Sequence, residues 1–151
     1  MSHTILFSAD PGTTGAIAEF RDGALHTVHD PVDASLARPL ADLLVEAMGD
    51  PFNDVSIAIE KVNGMPGQSG PASFNFGKGF GAMLGVCLAL GIEPTLVHSS
   101  VWKQAVGLRG LAKAASKDLA AATFPAFADR FLKWRPDKAE AALIGFWAMQ
   151  Q

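Results

Sequence analysis

LFSADPGTTGAIAEF, residues 6–20, is apolar up to Ala9, stops at Asp10, turns through Pro-Gly-Thr-Thr-Gly and resumes as a second apolar run. Its first half, with the residues before it (HTILFSAD), has the length and closing turn residues of a buried β-strand. A carboxylate at the end of such a strand is costly unless something uses it. Asp10 is therefore the first candidate functional residue. GAIAEF and the following ALHTVHD read as two further strands, with RDG between them as a hairpin turn. The three together predict an antiparallel meander. Gly12 and Gly15 are expected to take backbone conformations closed to other residues.

Working outward, DASLARPLADLLVEAM has helical spacing at Leu36, Leu40, Leu43, Leu44 and Ala47, with Asp33 or Ser35 as its cap and Pro39 near its start. DVSIAIE is a short apolar strand ending at Glu60. The order strand, helix, strand implies a parallel partner, the first strand. KVNGMPGQSGP is a glycine-rich loop, followed by a helix over residues 72–90 that Gly91 ends. EPTLVHS reads as a fifth strand, and helices are expected over 100–106, 113–124, 125–133 and 136–149. The sum is an α/β fold in one domain over residues 1–151: a five-stranded mixed sheet with helices on its faces.

The bulk numbers agree with a packed domain. The 151 residues are 49% hydrophobic and 18% charged, which is globular and not disordered. One cysteine, Cys87, lies in an apolar run and forms no internal disulfide. A buried thiol fits a reducing cytosol. The first residues lack the basic start and long apolar core of a secretory signal, and the run over 80–90 is too short to span a bilayer. A cytoplasmic protein away from membranes is expected. The net charge of −3 argues against nucleic-acid binding by bulk charge. Acids gathered at a metal site would hide a basic surface, however. Lys103, Arg109, Lys113 and Lys117 fall in one acid-free segment, and Arg130, Lys133, Arg135 and Lys138 form a second basic group.

Asp10 and Glu60 each close a strand. If those strands are parallel neighbours, both carboxylates emerge at one sheet edge, where such folds bind ligands. Asp137 and Glu140, three apart at the start of the last helix, share a face. Four acids that close repel one another, and a divalent cation relieves the repulsion. Oxygen-only ligands suit Mg²⁺ or Mn²⁺ rather than zinc. Two such ions, about 3.5–4 Å apart, would clamp a phosphodiester and activate water. Each acid also has an ordinary reading. Asp10 can cap a turn, Asp137 can favour a helix dipole, and Glu60 and Glu140 can be solvated. The ordinary readings weaken jointly, because both strand-terminal acids follow apolar runs.

SADPGTTGAIAEF, the block from VSIAIEKVNGMPGQSGPASFNFGKGFG to HSSVWKQAVGL, and DKAEAALIGFWA together resemble, in order, the RuvC-like Holliday junction resolvases of the ribonuclease H-like superfamily. The likeness is nearest to their compact phage and prophage forms. It implies a ribonuclease H-like sheet of three antiparallel and two parallel strands. It also implies Asp10, Glu60, Asp137 and Glu140 as metal-binding acids, with Glu140 standing where bacterial resolvases carry a second aspartate. Lys103 matches a lysine near the scissile phosphate, and a second such lysine falls on Lys113 or Lys117. An aromatic residue that stacks on a base at the opened junction falls on Phe74 or Phe76, one of which should be packed. The implied activity is Mg²⁺-dependent cleavage of branched DNA by a homodimer, with two ions per subunit, Mn²⁺ able to substitute, and Lys103, Lys113, Lys117, Arg109 and the phenylalanines toward DNA. The glycines at 77, 79, 81 and 85 make their helix a candidate dimer contact, though close packing on the sheet accounts for them nearly as well.

Two rivals deserve comparison. DPGTTGA also resembles the phosphate-binding loop of actin-like kinases, where Thr13 and Thr14 would meet ATP. Those kinases need two such domains, and 151 residues are too few. A non-catalytic nucleic-acid module would tolerate loss of its acids, and all four are present. A nuclease of the same fold acting on RNA or on other branched DNA shares every one of these residues.

Overall fold

The computed structural model describes residues 2–12, 14–30, 36–63 and 67–151. β1 (Thr4–Asp10), β2 (Ala16–Arg21) and β3 (Ala24–His29) form the antiparallel meander. Asp22 and Gly23 turn β2 into β3 with φ of 49° and 81°, the positive pair a two-residue hairpin needs. α1 (Ala37–Met48) follows, then β4 (Asp54–Glu60), which pairs parallel to β1. α2 (Gly70–Ala89) leads to β5 (Thr95–Val97), parallel to β4. The sheet order is β3-β2-β1-β4-β5. α3 (Ser99–Ala105), α4 (Ala115–Thr123), a 3₁₀ turn at Pro125–Phe127, α5 (Ala128–Lys133) and α6 (Pro136–Ala148) complete the chain. This is the five-stranded mixed sheet expected, three strands antiparallel and two added in parallel.

Strand alternation divides the core in two. Ile5, Phe7, Ala9, Ile17, Ile57 and Ile59 face α1 and α2, packing with Leu40, Leu44, Met83 and Cys87. Ala16, Ala18, Phe20 and Ala58 face the other side and pack with Trp102, Phe131 and the alanines of α6. α6 lies close because its inner residues are small. A Cβ on Gly145 would stand 2.2 Å from the Phe20 ring and 2.6 Å from Ser8 Oγ. Ser8 Oγ, in turn, donates to the Ala141 carbonyl at 2.7 Å. That contact holds the middle of α6 against β1. Among the described residues no helix is long and apolar enough to cross a membrane.

Several expectations are corrected. Neither Gly12 nor Gly15 has a positive φ. Gly15 is required by space, since a Cβ there would sit 1.9 Å from the Asp10 carbonyl oxygen. β5 spans only three residues, because His98 and Ser99 already turn into α3. α1 begins after Leu36, whose side chain is buried and makes no cap bond. The caps expected at Asp33 or Ser35 lie outside the described residues.

Candidate metal centre

Asp10 and Glu60 stand one residue beyond the last paired rungs of two adjacent parallel strands. Two residues after Ser8 and Ala58, they sit on the same side of the sheet as α6. Asp137 is the second residue of α6 and Glu140 lies one turn on. Asp10, Asp137 and Glu140 each bring one carboxylate oxygen within 4.8 Å of the others. They are 5%, 6% and 4% exposed. Glu60 stands outside this trio. Its Oε2 accepts a hydrogen bond from Trp102 Nε1 at 2.7 Å.

The surroundings show what such crowding costs. Burial pushes the Asp10 carboxyl up from 3.8 to about 7, and the charges of Glu60 and Glu140 push in the same direction; the Gly12 N–H, 3.1 Å from Oδ1, offsets only part. Burial also raises Glu60, against the opposing pull of the Trp102 N–H and the Lys103 charge. For Asp137, burial is outweighed by hydrogen bonds from Lys113 and Thr14, which hold the carboxyl below its usual range. Lys113 Nζ lies 2.6 Å from Asp137 Oδ1, and the Thr14 hydroxyl donates to Oδ2. Burial would lower Lys113, but the bond to Asp137 outweighs it and raises the ammonium pKa. Arg135 stands 3.5 Å from Asp137 Oδ2 and donates to the Thr14 carbonyl at 3.0 Å. Lys103 Nζ is 3.1 Å from Glu140 Oε1.

The donor set fits a hard divalent cation. It offers only carboxylate oxygens, and their repulsion is what a cation would relieve. Nitrogen or sulfur donors that would favour zinc are absent from the trio.

The other candidates divide. Lys103 and Lys113 reach the acids; Lys117, on α4, is not among the cations that do. Arg109 is exposed and donates to Gln104 Oε1 at 2.7 Å. Phe74 is 71% exposed, while Phe76 is half-buried and belongs to neither core cluster. Thr13 and residues 64–66 of the glycine-rich loop lie outside the described residues.

Three neighbours were not placed beside the acids by the sequence: Thr14 and Arg135, which hold Asp137, and Trp102, which holds Glu60. Trp102 precedes Lys103, and a buried indole N–H needs an acceptor. That need was visible in the sequence; which acceptor would meet it was not.

No protein-family model and no curated protein matches the chain. Solved structures do. RuvC of Thermus thermophilus, in a complex with a Holliday junction substrate, is 15% identical with a TM-score of 0.60, covering 96% of this chain and 92% of that one. A second Thermus thermophilus RuvC structure is 14% identical with a TM-score of 0.56, covering 97% and 95%. The likeness runs over nearly the whole of both chains, and the chain has a RuvC-like, ribonuclease H-like fold.

Proposed function

We propose that the chain is a divalent-metal-dependent endonuclease acting on branched DNA, with the four-way junction as its substrate. The observation that carries this reading is the trio of buried carboxylates at the C-terminal sheet edge, where Asp10 is pushed up to about 7 by burial and its acidic neighbours. The junction bound by the RuvC of similar fold supports the substrate class. The glutamate at position 140, in place of the second aspartate of bacterial resolvases, suits the compact phage and prophage relatives, working in recombination, repair or phage DNA processing.

Asp10, Asp137 and Glu140 would hold the ions, with Glu60 completing the set for two per subunit. Mg²⁺, or Mn²⁺ in its place, supplies Lewis acidity and an activated water when bound. The remaining work belongs to side chains. Lys103 and Lys113 balance the charge of the phosphodiester beside the acids. Thr14 and Arg135 keep Asp137 in place. Arg109, Lys117 and the loop from Lys61 to Gly70 meet the DNA backbone. Phe74 stacks on an unpaired base, an interaction worth about 1–3 kcal/mol. Cleavage leaves 5′-phosphate and 3′-hydroxyl ends.

A homodimer would place two such sites on one junction. The outer face of α2 supports this. Gly77, Gly81 and Gly85 have nothing within 4 Å of an added Cβ, and Leu88 beside them is 67% exposed. Only Met83 and Cys87 of this apolar helix are buried within the chain.

The test is cleavage of a four-way junction in Mg²⁺, beside duplex, flap and RNA–DNA hybrid controls. The junction should be cut fastest, chelation should stop the reaction, and Asp10→Asn should abolish cutting while leaving DNA binding. Undiminished cleavage by purified Asp10→Asn protein would refute the assignment. Preference for the hybrid would move the substrate to RNA.

A further inference from the structure

Trp102 is fully buried, yet its one polar atom is committed to the candidate site. The fold explains how it arrives there. Glu60 is paired with Val97 across β4 and β5. The chain then turns directly into α3, so the first turn of α3 passes beside the end of β4. Trp102 Nε1 donates to Glu60 Oε2 at 2.7 Å. The ring of the same residue lies 5.2 Å from Lys103 Nζ, which pairs with Glu140 Oε1 at 3.1 Å. One rigid side chain therefore links the acid that stands outside the trio to the lysine that reaches into it.

We infer that Trp102 is a positioning residue: its indole N–H fixes the Glu60 carboxylate for metal binding, and its ring carries Lys103. This rests on the metal-centre reading above. A flexible glutamate beside three crowded acids would turn toward solvent, since like charges repel. A donor from the packed core removes that freedom. Trp102 makes the bond without adding a further positive charge beside the acids. Partners that orient ligating groups in this way typically contribute about 10- to 100-fold in metal affinity.

Two measurements on the full chain test the inference. In calorimetric Mn²⁺ titrations, Trp102→Phe keeps an aromatic ring beside Lys103 and removes the N–H together with part of the indole's buried volume. It should weaken Mn²⁺ binding about 10- to 100-fold. Glu60→Gln should weaken it similarly, and the double variant should be no weaker than Glu60→Gln alone. A Trp102→Phe protein that takes up Mn²⁺ like the parent would overturn the inference, as would losses that multiply in the double variant.

The second measurement leaves Trp102 intact and so stands even if Trp102→Phe fails to fold. The chain has three tryptophans, at 102, 134 and 147. In ¹⁵N-labelled protein, one indole N–H resonance should move upfield in Glu60→Gln and shift on Mg²⁺ saturation of the parent, while the other two stay put. An indole spectrum indifferent to both Glu60→Gln and Mg²⁺ overturns the inference. Asp10→Asn separates the two levels of the argument. If it binds Mn²⁺ like the parent, the metal-centre reading falls and this inference with it. If it loses Mn²⁺ and Trp102→Phe does not, only the inference falls.

Discussion

At the scale of single residues, Asp10 is where folding and function oppose one another. A carboxyl raised from 3.8 to about 7 binds its proton more tightly in the native state than in the unfolded chain. Native stability then falls as pH rises from about 4 to about 7, because ionising the group is harder in the fold. At the alkaline end the penalty is on the order of 4 kcal/mol. Asp10→Asn removes it and can still accept the Gly12 N–H. The variant should therefore melt several degrees above the parent at pH 8 with chelator present, and the gain should shrink at pH 5. Equal melting temperatures at pH 8 would contradict the burial argument. Lys113 and Lys117, equivalent in the sequence, are not equivalent in the fold. Lys113→Ala should slow single-turnover junction cleavage about 10²-fold, whereas Lys117→Ala should act mainly on DNA affinity.

At the scale of elements, the site depends on how closely α6 approaches the sheet. Gly145 meets Phe20 and Ser8, so Gly145→Ala forces the helix outward. The expected loss is about 1–3 kcal/mol, read as a melting temperature lowered by about 2–12 °C. Cleavage should fall further than stability does, because Asp137 and Glu140 move with the helix. A fully active variant of unchanged stability would show that the contact is not tight. The elements themselves were readable in the sequence, since strand alternation, helical spacing and turn residues are local signals. β1, β2, β3 and β4 run close to their expected bounds, and so does α6. What local pattern could not give was the reason for Gly15. Its requirement comes from the folded-back carbonyl of Asp10, and the sequence offers no sign of which backbone will approach. β5 shortened for a related reason: an apolar run followed by His98 and Ser99 does not say where extended chain gives way to helix.

For the whole molecule, the parallel pairing of β1 with β4 and the return of α6 across them gather acids distant in sequence. That gathering was inferable because strand ends and helix starts carry the acids. The separate placement of Glu60 was not, because it depends on a hydrogen bond to Trp102 across 42 residues. The exposed glycine face of α2 makes a prediction at this scale. Gly81→Leu fills open space on a helix and improves helix propensity by about 1 kcal/mol, so the subunit should remain folded. Sedimentation should show a dimer for the parent and a monomer for the variant, with paired junction cuts giving way to single nicks; a dimeric variant would move the interface elsewhere. The central claim is that the carboxylates at this sheet edge jointly hold divalent ions. Crystals soaked in Mn²⁺ and measured at the manganese absorption edge test it most directly. Anomalous peaks should lie among Asp10, Asp137 and Glu140, with Glu60 in contact and Lys113 turned from Asp137. No peak there, with Lys113 and Lys103 still paired to the acids, would contradict it.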